Sequence, residues 1–124
     1  MALLWWQSEK KKGYYMNVYL GIDIGSTTVK LVAAGVNDAT GRLEILYRKY
    51  ERHFSKVREK ACEMLRDAKQ VIGDANICVA ITGSAGLGVA KASGVDFVQE
   101  VFATRKCVGT FVPKADVVIE LGGE

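Results

Sequence analysis

Residues 21–30 read Gly21-Ile22-Asp23-Ile24-Gly25-Ser26-Thr27-Thr28-Val29-Lys30, and no other stretch narrows the possible folds as far. An apolar strand pattern carries one carboxylate, Asp23, to its tip. Gly25 and three hydroxyl residues, Ser26, Thr27 and Thr28, then turn the chain into a second apolar strand from Val29 to Ala34. A glycine here offers backbone angles closed to other residues and lets a ligand approach the main chain. Successive turn N–H groups together with the hydroxyls form a cup of anion size. A carboxylate beside that cup would repel a bare phosphate, yet it suits a hydrated magnesium ion travelling with nucleotide phosphates. The decapeptide therefore predicts a site for a nucleoside triphosphate held with magnesium.

The spacing is not the G-x-x-x-x-G-K-[ST] pattern, which occurs nowhere in the chain and joins a strand to a helix rather than to a second strand. A hairpin turn merely rich in Gly, Ser and Thr is the competing reading. The position of the acid, inside the strand two residues before the glycine, argues against it. At 124 residues, 49% hydrophobic and 25% charged, the chain suits one soluble globular domain with a real core. A net charge of +3, with Lys and Arg spread among acids, gives no basis for nucleic-acid binding. No apolar run is long enough to span a bilayer, so no membrane partner is expected. Cys62, Cys78 and Cys107 are odd in number, widely spaced and without a C-x-x-C. Reduced thiols in a cytoplasmic protein fit this usage best, with Cys62 and Cys78 as core thiols.

Two boundaries follow from composition. Residues 1–15 place apolar Ala2 to Trp6 before charged Glu9 to Lys12, the reverse of a secretory signal, and read as an extension outside the domain. Residues 16–124 read as the domain, and the chain stops on the glycines of an unfinished turn after Val117 to Leu121. The expectation is a fragment of a longer protein.

Within the domain, Asn17 to Ile24, Val29 to Val36 and Arg42 to Lys49 are strand candidates in an antiparallel meander, with Asn37, Asp38 and Gly41 as turn residues. From Phe54 to Ile72 the period becomes helical, Val57, Ala61, Met64, Leu65, Ala68 and Ile72 forming one stripe that Gly73 ends. Ala75 to Thr82 reads as a buried strand, Gly88 to Ser93 as a short helix, Phe97 to Val112 as a longer one and Val117 to Leu121 as a closing buried strand. That order predicts an α/β domain, a mixed sheet covered by helices.

The ending repeats the first motif: strand Val117 to Ile119 presents Glu120, and Gly122-Gly123 follow. Two strand tips, each with an acid followed by glycine, could grip one phosphate–magnesium group from two sides. Gly83-Ser84-Ala85-Gly86-Leu87-Gly88 has the order G-x-x-G-x-G, not the dinucleotide order, and reads as a close-packing or cleft-lining loop. His53, the lone histidine, reads as part of a solvent-facing connector, and Glu100 as a favourable charge at a helix start. The Lys10-Lys11-Lys12 run reads as solvated, and Trp5, Trp6, Tyr14 and Tyr15 as a weak candidate for an aromatic patch.

With both acid–glycine turns in view, residues 17–124 resemble the nucleotide-binding lobe of the actin, Hsp70 chaperone and sugar kinase superfamily. The wording is closest to the ATP-dependent activators of 2-hydroxyacyl-CoA dehydratases and the related benzoyl-CoA reductase ATPase subunits. The resemblance rests on residues 21–30, Thr82 to Gly88, Phe97-Val98-Gln99-Glu100 and Val118 to Glu124. It implies a ribonuclease H-like lobe with sheet order 3-2-1-4-5. Asp23 would hold magnesium through water, Gly25 to Thr28 would wrap the β- and γ-phosphates, and Lys30 is a weaker phosphate contact. Glu120, Gly122 and Gly123 would form the second phosphate turn. Family activators are homodimers that share one [4Fe–4S] cluster and pass an electron to a dehydratase or reductase partner when ATP is hydrolysed. Cys62, Cys78 and Cys107 do not stand at the cluster positions, so a cluster is expected only in a longer protein. Glu120 and Glu124 also stand where many superfamily members carry other residues. The alternatives are a sugar or metabolite kinase of the same superfamily, and a non-enzymatic, chaperone-like or regulatory ATP sensor.

Overall fold

The computed structural model describes residues 17–121. Its centre is strand β1, Asn17–Ile24, in which Val18, Leu20, Ile22 and Ile24 are buried while the residues between them are open or half-buried. That alternation gives the sheet one core face and one freer face. Asp23 belongs to the second. Strand β2, Thr28–Val36, returns antiparallel with Ile24 opposite Val29 and Asp23 opposite Lys30, and adds Val29, Leu31 and Ala33 to the core.

A turn follows in which the Asn37 side-chain oxygen accepts the Ala39 and Thr40 N–H groups, and Gly41 takes a left-handed φ of 65°. Strand β3, Leu43–Arg52, then pairs antiparallel with β2. The pairing slips between Ala33 and Ala34, which face Tyr47 and Ile45, so Leu46 is the extra residue of a bulge. Because of it, the neighbours Leu46 and Tyr47 both pack against the core, which strict alternation would forbid.

Helix α1, Val57–Ile72, lays Ala61, Met64, Ala68 and Ile72 on the core face, and Gly73 ends it at φ 72° with its N–H bonded to Lys69 O. Met64 is fully buried against the strands, so truncating it to alanine removes about 2–5 kcal/mol. A chain of ion pairs ties α1 to β3: Lys49 meets Glu51 and Asp67, and Lys60 meets Glu51 and Glu63. Strand β4, Asn76–Thr82, lies parallel to β1, as a strand after a helical crossover can. Helix α2, Gly86–Ser93, strand β5, Asp96–Phe97, and helix α3, Glu100–Phe111, complete the described elements.

The sheet order is β3-β2-β1-β4-β5, which is the ribonuclease H-like order 3-2-1-4-5 with only β2 antiparallel to its β1 neighbour and β4 and β5 parallel to it. The fifth strand is not the expected one. Asp96 and Phe97 fill that place beside Ala80 and Ile81, and the helix expected from Phe97 starts only at Glu100. Val117 to Leu121 forms no strand and is exposed, with Ile119 at 79% and Leu121 at 88%. An apolar pattern becomes a strand only when a neighbouring backbone takes its hydrogen bonds. The sheet edge here is the two-residue β5, too short to supply them. The thiols also depart from the core reading: Cys62 is half-buried, and Cys78 and Cys107 are exposed. Among the described residues, no helix is long and apolar enough to cross a membrane. Residues 1–16, Gly122, Gly123 and Glu124 lie outside the described residues.

Candidate functional site

The turn between β1 and β2 is three residues long, Gly25 to Thr27, and is closed by Gly25 N–H donating to Thr28 O at 2.9 Å. Gly25 is not among the residues of positive φ, so the expected special backbone angle is not what selects glycine there. A Cβ at Gly25 would meet only Thr28 O and Oγ1, at 3.7 and 3.8 Å. What glycine provides is a main chain with no side chain over it. Ser26 is exposed at the tip, and Thr27 and Thr28 are half-buried beside it.

Asp23 is half-buried on the freer face, where Lys30 Nζ donates to its Oδ2 at 2.9 Å. The two side chains are direct cross-strand neighbours, so the antiparallel register alone brings them together. Lys30 also lies over the Tyr50 ring, 5.6 Å from its centre. The hydrogen bond from Lys30 to Asp23 holds the ammonium above its ordinary value despite partial desolvation, and the charges of Asp23 and Glu120 add to this. Glu120 is thus within electrostatic reach of the Asp23–Lys30 pair. It does not sit on a strand tip; it is exposed beside α3, with Thr104 Oγ1 donating to its Oε2 at 3.1 Å.

A groove of about 380 Å³ runs along this face between the sheet and α3, lined by Asp23, Lys30, Thr82, Val98 and Ala103 among others. Thr82 stands beside Asp23 in the parallel β1–β4 register, and its Oγ1 is buried without a hydrogen-bond partner among the described residues. Buried hydroxyls are nearly always satisfied, so Thr82 stands out beside Asp23, as Tyr47 does elsewhere among the described residues. Gly83 follows at φ +100°, and a Cβ there would lie 2.2 Å from Ile24 O and 2.6 Å from Asp23 Oδ1. Ala85 N–H donates to the same Ile24 oxygen at 2.9 Å. The glycine loop after β4 therefore packs edge-on against the tip of β1 and fixes Asp23 from that side. This is the close-packing role read from its sequence.

His53 departs most from expectation. It is the one buried polar or charged side chain among the described residues, 6% exposed, and not a solvent-facing connector. Its Nε2 lies 3.1 Å from Gly25 O, its Nδ1 accepts the Ser55 N–H at 3.1 Å, and its own N–H donates to Thr27 O at 3.1 Å. The polar composition around it hid this. The signal lay in the meander: Arg52 ends β3 opposite Thr28, so the next residue must fall beside the β1–β2 turn.

The residues fit a magnesium–phosphate group. One carboxylate, a hydroxyl-lined turn and an unpartnered threonine hydroxyl match an ion that usually keeps several waters and takes one or two protein carboxylates plus phosphates. They do not form a caged metal site, since no cluster of three or more His, Cys, Asp or Glu occurs among the described residues. An iron–sulfur cluster does not fit them either: Cys62, Cys78 and Cys107 are on α1, β4 and α3, and no such cluster brings them together.

No protein-family model matches the chain, and no curated protein sequence matches it. Solved structures similar to it include a Ppx/GppA family member from Aquifex aeolicus, at 20% identity over 67% of this chain and 35% of that one, with a TM-score of 0.41. A second is an exopolyphosphatase from Cytophaga hutchinsonii, at 13% identity over 66% of this chain and 33% of that one, also with a TM-score of 0.41. The chain spans about a third of the length of these proteins.

Proposed function

We propose that this chain is the phosphate-binding lobe of an ATPase that takes magnesium–ATP at the β1–β2 turn. The observation that carries the reading is the half-buried Asp23 at the tip of β1, beside an uncovered Gly-Ser-Thr-Thr turn and next to the unpartnered Thr82 hydroxyl. Bound magnesium would neutralise phosphate charge. Phosphoryl transfer on such a site rests on positioning and charge, with no covalent step on the protein. The turn would donate to phosphate oxygens through the Ser26 and Thr28 N–H groups and through its hydroxyls. Asp23 would hold water on the metal, and Lys30, released from Asp23, would supply positive charge to the phosphates. In this reading Glu120, Gly122 and Gly123 would belong to the second phosphate turn, as the sequence resemblance implies.

The finer assignment rests on the sequence resemblance: an activator that couples ATP hydrolysis to electron transfer into a 2-hydroxyacyl-CoA dehydratase or a related reductase. In that reading a [4Fe–4S] cluster and a homodimer belong to a longer protein, and the dehydratase or reductase is its protein partner. Calorimetric titration of the chain with magnesium–ATP tests the binding reading. Heat of binding that disappears in Asp23→Ala is expected; equal affinity in that variant would refute the role of Asp23. For the activator reading, reduction of a dehydratase by the longer protein must depend on ATP, and ATP-independent transfer would refute it.

A further inference from the structure

We infer that His53 is the positioning residue of the phosphate turn, holding its carbonyls inward so that its N–H groups face the ligand. The inference rests on the magnesium–ATP reading for what the turn binds, but not for how the turn is held. Within the turn, Gly25 O is bonded by the imidazole and Thr27 O by the His53 backbone N–H. The peptide bonds are trans, since no cis bond occurs among the described residues. In a trans peptide the C=O and the following N–H point in opposite directions. Two carbonyls turned toward His53 therefore turn the N–H groups of Ser26 and Thr28 away from it. An anion-binding turn needs that polarity.

The partners also determine which ring nitrogen carries the proton. Nδ1 accepts the Ser55 N–H, so the hydrogen belongs on Nε2, which donates to Gly25 O. The backbone keeps the ring in place at a cost. Phe54 and Ser55 both adopt left-handed conformations, at φ 47° and 63°, although neither is glycine. Such conformations persist only where their surroundings hold them, and they concentrate at functional sites. Here they reverse the chain after β3, bringing Ser55 N–H back to the ring and Lys56 N–H to His53 O. The cation of Arg52 lies 5.8 Å from the Phe54 ring and covers the outside of the reversal.

Two conservative variants separate the bonds. In His53→Gln the side-chain amide can take the place of Nε2 and still donate to Gly25 O. In His53→Asn the side-chain oxygen can take the place of Nδ1 and still accept from Ser55, as Asn37 does two residues before Ala39. With the 15N-labelled chain, exchange protection of the Gly25 and His53 amides is read alongside magnesium–ATP affinity. His53→Ala and His53→Asn are expected to lose roughly tenfold in protection and in affinity, the effect of one buried bond left unmade, while His53→Gln recovers most of both. His53→Asn matching the unsubstituted chain, or His53→Gln failing as fully as His53→Ala, would overturn the inference. Should the variants unfold, the imidazole 15N shifts of the unsubstituted chain decide: the Nε2–H tautomer is expected, and Nδ1–H would overturn it. If the unsubstituted chain binds no magnesium–ATP, the nucleotide reading fails alone, because the amide protection still tests His53.

Discussion

Replacing Gly83 with alanine separates a packed wedge from an ordinary loop glycine. Gly83 sits at φ +100°, where an L side chain costs about 1–2 kcal/mol. Its added Cβ would meet Ile24 O at 2.2 Å, Ile24 C at 2.5 Å and Asp23 Oδ1 at 2.6 Å. Two of the three are backbone atoms and cannot rotate aside, so overpacking adds about 1–3 kcal/mol. The sum is roughly 2–5 kcal/mol, or a fall in Tm of roughly 8–20 °C for a domain of this size. Gly88 provides the internal control, since it lies five residues on in helix α2 with nothing within 4 Å of its Cβ position. Gly88→Ala should raise stability by about 0.5–1 kcal/mol. Thermal and urea unfolding followed by circular dichroism reads both. A Gly83→Ala chain within about 1 kcal/mol of the original would refute the wedge, whereas a smaller change in Gly88→Ala would not bear on it.

Other perturbations test separate parts of the account. Tyr47 has a buried hydroxyl without a partner among the described residues, and burial raises its ionisation above the ordinary value; Tyr47→Phe should be neutral or stabilising by up to about 1–2 kcal/mol in urea unfolding. Thr82→Val removes a similar hydroxyl at the site, so it should keep or raise Tm yet weaken magnesium–ATP binding measured by calorimetry. Hydrogen bonds from Lys60 and Lys49 hold the Glu51 carboxyl below its usual range. A lowered folded value contributes stability that is present above the unfolded value near 4.5 and lost as pH falls through the folded one. The stability difference between the chain and Glu51→Gln should therefore shrink as unfolding is measured from pH 6 down toward about pH 3. Ser55→Gly removes a left-handed strain and should gain about 1 kcal/mol in the same assay, since its backbone N–H still reaches His53.

Much of the fold was legible because it is written in short periods. The alternation in β1 and β2 and the four-residue stripe of α1 each follow from one face being buried, and the structure places Val18, Leu20, Ile22, Ile24, Met64 and Ala68 in the core. Elements that depend on distant partners were not legible. Asp96 and Phe97 form a strand only because β4 offers an edge, and Val117 to Leu121 do not because no edge of sufficient length reaches them. At the site, the Asp23–Lys30 pair is implicit in a hairpin whose turn centres between them. The burial of His53 is hidden, since its neighbours Arg52, Phe54 and Ser55 are polar or exposed and give no apolar signal. Only the pairing of Thr28 with Arg52 reveals that the end of β3 must lie under the turn.

The most direct test is a magnetic-resonance titration of the 15N-labelled chain with magnesium–ATP. The account predicts amide shifts concentrated at residues 23–30, at His53 and at Thr82 and Gly83, with the α1 face of the sheet unmoved. Shifts confined to α1, or none at millimolar nucleotide, would contradict it.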